Sequence, residues 1–247
     1  MFSPNTLTTQ PLSPRHKKDL VYLAKIAERA GRYDELVQTM NEVVEMGEEL
    51  SDDERNLLSF AYKTVIGARR SSWKVIQSVE EMTDDSERQK CIVKEYREEI
   101  EQELIKLCSD ILNLLDEHLL PNVTKPESKT FYLKMKGDYF RYLADVADEE
   151  LKATLIENSQ KAYQNGFEIA KEQLPAIHPI RLALALNYSV FFYHIMGATD
   201  KARQLARQSL EEAVSELNKI VKDSYKDSTT IMQLIRENLT QWTSQTK

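Results

Sequence analysis

Glycine is scarce in this chain, with 6 in 247 residues, and proline is little commoner, with 7. Three of the prolines, Pro4, Pro11 and Pro14, fall in the first fourteen residues, so four prolines and six glycines punctuate the rest. A β-sandwich or a doubly wound α/β fold needs more turn residues than that. No two glycines lie closer than sixteen positions apart, which excludes a G-x-G-x-x-G fingerprint and a glycine-rich phosphate loop. Two cysteines, Cys91 and Cys108, are too few for a disulfide framework and lack zinc-like spacing. They fit a reducing, cytoplasmic setting, with the nucleus as a second compartment. The four histidines (His16, His118, His178, His194) form no metal-like pair, and none neighbours a cysteine. Neither a metal nor a cofactor is expected, and an enzyme reading finds no support.

Long apolar runs are missing too. The most apolar stretch, Leu182 to Met196, is broken by Asn187, Ser189 and His194, too short and too polar to span a bilayer. The opening MFSPNTLTTQPLSPRH has no apolar core of a secretory signal. Positive charge is in deficit: 33 Lys plus Arg against 40 Asp plus Glu gives a net charge of −7, which argues against nucleic acid as a partner. What is present is 41% hydrophobic residues, enough for a sizeable core.

The arrangement of those residues is helical. Residues 1–15 read as a mobile, polar arm, and 16–247 as a single helical domain. Leu20, Leu23, Ala24 and Ala27 recur at three- and four-residue steps, which predicts an amphipathic helix closed at Gly31. A second helix is expected from Tyr33 to about Met46, closed near Gly47. Ser51-Asp52-Asp53-Glu54 is a capping box, opening a helix that should run from Asp52 to about Met82. Thr83-Asp84-Asp85-Ser86 reads as a turn and N-cap, followed by a long helix to Leu120 that Pro121 ends. Five more are expected at about 127–147, 149–174, 179–196, 200–221 and 225–242. Pro179 suits a first helical turn. Nine helices with short, antiparallel connections make an all-α chain. Asn187 to Val214 has spacings like a tetratricopeptide repeat, but no fixed period recurs, so an irregular, cup-shaped superhelix with an amphipathic groove is expected.

Within that plan a few residues carry chemistry. Lys63 and Arg70 in YKTVIGARR are seven apart and share a helix face. Lys134 and Arg141, with Tyr142, do the same in KMKGDYFRYL. If those faces meet, the cations match a phosphate monoester, which carries about −1.5 to −2 charges. By spacing alone a solvated, ion-paired surface is the more ordinary reading, because charge runs on helices are usually only surface. Leu186 and Val190, and Ile231 and Leu234, form apolar stripes interrupted by Asn187 and Asn238, whose amides can grip a peptide backbone. Leu234, Asn238 and Trp242 follow at i+4 steps, and ordinary core packing explains the apolar members as well.

ERNLLSFAYKTVIGARRSSWKVI and YKDSTTIMQLIRENLTQWTS closely resemble the two signatures of the 14-3-3 family. FYLKMKGDYFRYLAD, HPIRLALALNYSVFFYHI and EYREEIEQEL resemble it between them, from about residue 17 to 244. The resemblance implies a non-enzymatic adaptor, dimeric through its N-terminal helices, that regulates phosphorylated clients by holding phosphoserine or phosphothreonine peptides. The family's phosphate-gripping residues match Lys63, Arg70, Arg141 and Tyr142, and its neighbouring lysine and acid match Lys134 and Asp138. Its asparagines match Asn187 and Asn238, and its apolar wall Leu186, Val190, Ile231, Leu234 and Trp242. The dimer seam matches Ile26, Ala30, Ile76, Val79 and Tyr96, with pairs Arg32–Glu103 and Asp19–Arg88. Ser72 matches a seam serine whose phosphorylation favours monomers. The acidic tail common in the family is not expected after Trp242. The competing reading is a tetratricopeptide-like scaffold for unphosphorylated peptides.

Two positions depart from the family pattern. His194, seven residues after Asn187 in FFYHIM, stands where a glutamate is usual, which predicts less preference for basic residues N-terminal to the phosphate. Glu35 would face Glu99 across the seam, where a lysine is usual. That opposition predicts a weakened homodimer and preference for a paralogue carrying the lysine, though such a pair is worth only about 0–1 kcal/mol.

Overall fold

The computed structural model describes residues 16–83, 86–217 and 226–244, so the arm expected at 1–15 lies outside the described residues. Those residues form nine helical rods, and no strand occurs among them. The rods are α1 (Lys17–Arg29), α2 (Tyr33–Glu45), α3 (Asp52–Met82), α4 (from Glu87–Leu114), α5 (Pro126–Val146), α6 (Glu149–Gln173), α7 (Pro179–His194), α8 (Thr199–Leu217) and α9 (Lys226–Ser244). The chain divides into two compact units, Met1–Val65 and Ile66–Lys247.

In the first unit α1 buries Leu20, Ala24 and Ala27, and α2 buries Leu36, Val37, Met40, Val43 and Val44. Gly31 joins the two helices at φ +68°, a conformation other residues rarely adopt. The capping box forms as its spacing predicts. Ser51 N–H donates to Glu54 at 2.8 Å and Glu54 N–H donates to Ser51 Oγ at 3.3 Å. Lys17 reaches the same Glu54 carboxylate at 3.2 Å, tying the start of α1 to the start of α3.

In the second unit Ser86 caps α4 by accepting from Gln89 N–H, 3.2 Å away. α4 does not end before Pro121, as expected, but continues through a π-helical turn, Leu115–Leu119, into Leu120–Asn122. Leu120 N–H bonds back to Leu115 O, five residues earlier. Pro121 has no N–H to donate and its ring crowds the preceding turn, so the wider turn carries the rod past it.

α5 and α6 pack closely because glycine stands at two crossing points. Gly137 lies against the Tyr163 ring and Gly166 against Leu133 and Leu184. Ser159 Oγ donates to Gly137 O at 2.8 Å, holding the contact shut. On α8, Ala202, Ala206, Ser209 and Ala213 recur at helical steps and are buried. Against that small-residue face pack Leu182 of α7 and Met232, Ile235 and Trp242 of α9. A second cluster joins Tyr163, Ala170, Leu184, Tyr188 and Phe191. It locks α6 to α7, the two helices that flank the site described next.

Candidate functional site

Helix α5 carries Lys134, Asp138, Arg141 and Tyr142 at steps of four, three and one, so the first three lie along one face. Asp138 is 7% exposed, and a carboxylate so buried requires partners. It has three donors. Tyr163 Oη donates to Oδ1 at 2.5 Å, Asn187 Nδ2 to the same oxygen at 2.7 Å, and Lys134 Nζ to Oδ2 at 2.8 Å. Arg141 lies 3.7 Å from Oδ1, and its Nε donates to Tyr163 Oη at 3.4 Å. Burial alone would push the Asp138 carboxyl up, but Lys134, Arg141 and the hydrogen bonds outweigh it and hold it below the ordinary carboxylate range. Burial works against the Arg141 charge as well, and the surrounding Tyr163 and Asp138 more than restore it. The Tyr142 and Tyr163 phenols are pushed up, first by burial and then by Asp138, so both stay neutral donors.

The two guanidinium groups meet on one aromatic ring. Arg70 of α3 stands 3.9 Å from the Tyr142 centroid and Arg141 4.6 Å from it. Arg70 also pairs with Asp145 at 2.5 Å. Beside them opens a cavity of about 660 Å³, lined by Arg70, Trp73, Arg141, Asp145, Val190 and His194 among others. Lys63 is exposed and lies seven residues before Arg70 on the continuous helix α3.

On α7, Leu186 and Val190 are half-buried against the α8–α9 cluster, as is Ile231 of α9. Leu234 is 45% exposed and Asn238 half-buried. Trp242 is different: it is 2% exposed and stacks on Tyr193 at 4.6 Å, so it supports the apolar wall from beneath. Asn187 has one amide N–H committed to Asp138, which leaves its carbonyl and second N–H for a ligand. His194 is exposed at the end of α7, edge-on to Tyr193.

The residues assigned to the seam lie mostly on the surface. Ile26, Val79 and Tyr96 are large exposed hydrophobic side chains, Asp19, Ala30, Ser72 and Arg88 are exposed, and Ile76 is half-buried. Three of their charged members, Arg32, Glu103 and Asp19, have partners within the chain. Arg32 binds Glu35, Glu103 accepts from Arg69 at 3.0 Å, and Asp19 Oδ2 accepts from His16 N–H at 3.3 Å. Any pairing of Arg32 with Glu103 across a seam therefore competes with these local contacts. Glu35 likewise carries a neutralising arginine wherever it faces Glu99.

Sequence reasoning missed Tyr163 and Asp145. Asp145 is four residues after Arg141 and could have been found by charge spacing. Tyr163 had no such signal, because it reaches Asp138 across 25 residues from another helix. Among the described residues no helix is long and apolar enough to cross a membrane.

Comparison with known proteins places this geometry in context. Residues 23–243 match the model of the 14-3-3 protein family. The chain is 58% identical over 231 residues to 14-3-3 protein zeta of Bombyx mori, covering 94% of each chain. It is 57% identical to 14-3-3-like protein 2 of Caenorhabditis elegans, covering 92% of each. It is also 57% identical to human 14-3-3 protein beta/alpha, covering 93% of each.

Proposed function

Because the chain belongs to the 14-3-3 family, whose members bind client proteins and dimerise, we propose that it is an adaptor for phosphoserine- and phosphothreonine-containing clients. The observation that carries this reading is the meeting of Arg70 and Arg141 over the Tyr142 ring. Two forks of N–H donors converge there beside a neutral phenol, a set suited to the oxygens of a phosphate ester. Lys134 adds a third cation through Asp138, and Lys63 extends the basic face of α3. Arg141 is already oriented by Tyr163 and Asp138, so little ordering remains for the ligand to impose. Arg70 must share or leave Asp145 when phosphate arrives.

The peptide on either side of the phosphate lies along Leu186, Val190, Ile231 and Leu234, its backbone held by Asn187 and Asn238. The dimer seam is formed by Ile26, Ala30, Ile76, Val79 and Tyr96, with Ser72 a site where added charge opposes assembly. The phosphate is held and not cleaved, and the protein works in the cytoplasm.

The test is fluorescence anisotropy with a phosphoserine peptide and its unphosphorylated twin. Each charge-assisted hydrogen bond contributes about 1.5–3 kcal/mol, so Arg141→Ala should weaken phosphopeptide binding by about 10- to 100-fold. Equal affinity for the two peptides would reject the proposal in favour of a scaffold indifferent to phosphate. Release of inorganic phosphate on incubation would reject the non-catalytic part.

A further inference from the structure

The cavity beside the phosphate cluster carries more positive charge than one phosphate uses. Its lining includes four cations, Arg70, Lys74, Arg141 and Lys152, with His194, and its acid is Asp145. Asp145 is already matched by Arg70 at 2.5 Å. The Lys152 ammonium has a 3.5 Å contact to Glu149, which is almost fully exposed and outside the lining, so that pair is weak. With a phosphate of about −2 between Arg70 and Arg141, the lining keeps about one positive charge in excess of Asp145 and the phosphate, on the wall formed by Lys74 and Lys152. His194 completes that wall from the end of α7 with a group that is neutral or cationic and never anionic. Trp73, Ile156, Val190 and Ile195 give the cavity apolar sides, which lower the local dielectric and strengthen the attraction for an anion.

We infer that this cavity is a second anionic subsite, built from Lys74, Lys152 and His194, which selects clients carrying a carboxylate or a second phosphate close to the phosphorylated residue. The inference rests on the phosphopeptide reading above and specifies which phosphopeptides are preferred. A basic flanking residue placed there meets Lys74 and Lys152 and is disfavoured. A neutral one gains only the apolar contact. An acidic one gains one or two ion pairs, each worth up to about fivefold in affinity at such a half-open site.

The experiment is an anisotropy series on the full chain. One phosphoserine peptide is varied one residue at a time, at each of three places on either side of the phosphate, through Ala, Lys, Glu and phosphoserine. At one or more places the Glu peptide should bind about three- to tenfold tighter than the Ala peptide, with Lys weaker than Ala. A gain with phosphoserine but not Glu assigns the subsite to a second phosphate; a gain with both assigns it to anions generally. The Glu-to-Ala affinity ratio should fall towards one in His194→Glu and in Lys152→Gln. Because each variant is compared with itself, a general loss of stability does not imitate the result. The inference is overturned if no place shows an anionic preference in the unmodified protein, or if the preference survives both substitutions. If the Ala phosphopeptide itself fails to bind better than its bare serine twin, the phosphopeptide reading has failed, and not this one alone.

Discussion

Replacing Gly137 by alanine adds one methyl group where the Tyr163 ring already sits. A Cβ built there would lie 2.6, 2.7 and 2.8 Å from three atoms of that ring, well inside van der Waals contact. The ring has little room to yield. It stacks on Tyr188 at 5.5 Å, tilts against Phe191 at 5.6 Å, and its hydroxyl is held by Asp138 at 2.5 Å. Gly67 of α3 supplies a control within the same molecule, because a Cβ there meets nothing within 4 Å. Both substitutions gain about 1 kcal/mol of helix propensity. Only Gly137→Ala adds an overpacking cost of about 1–3 kcal/mol. Urea unfolding should therefore show Gly67→Ala more stable than the parent, and Gly137→Ala lower than Gly67→Ala by that 1–3 kcal/mol cost. The packing error should reach the site as well. A displaced Tyr163 loosens Asp138 and Arg141, so the affinity of Gly137→Ala for a phosphoserine peptide should drop in parallel. Equal stability changes at the two glycines would refute the claim that Gly137 is required by a tertiary contact.

Three further outcomes follow from the same geometry. The Asp138 carboxyl has a folded pKa below its unfolded value, so its contribution to stability is complete above the ordinary value of about 3.9 and disappears as pH falls through the lower folded one; carboxyl NMR should find it still ionised at pH 3.9, and a midpoint at or above that value would contradict the network. Asp145→Asn removes the ion that holds Arg70 and should tighten phosphopeptide binding by about two- to fivefold; weaker binding in a competition assay would show that Asp145 instead keeps Arg70 in position. Cys108 is fully buried, and burial first, with Asp145 adding, pushes its thiol up to about 12 despite Arg70, whereas Cys91 is exposed; a maleimide at pH 7.5 should label Cys91 in the folded protein and Cys108 only after denaturation, and prompt double labelling would be inconsistent with the packed α4.

Much of the helical plan was readable before the coordinates because its signals are local. The Ser51–Glu54 box, the Ser86 cap and Gly31 act within one turn of the chain, and each does what its spacing predicts. Pro121 was misread as a stop because a π turn trades one hydrogen-bond register for another, a choice that depends on packing around Leu115 and Leu119. Among the site residues, spacing alone paired Lys134 with Arg141 and left a plain surface helix the more ordinary reading. Resemblance to a family supplied the matches, and none of these signals indicated the Tyr163 hydroxyl, whereas the core-packing reading of Trp242 agrees with its burial.

Composition and periodicity, acting through helix geometry, determined that this chain would be helical, where its rods would begin, and which residues would share a face. Only the tertiary structure decided which faces would meet. That decision brings Tyr163 and Asn187 onto one buried carboxylate and two arginines onto the Tyr142 ring. The physical reason is range: caps and helical repeats act over a few residues, whereas the energy of a buried charge depends on neighbours that packing alone brings near.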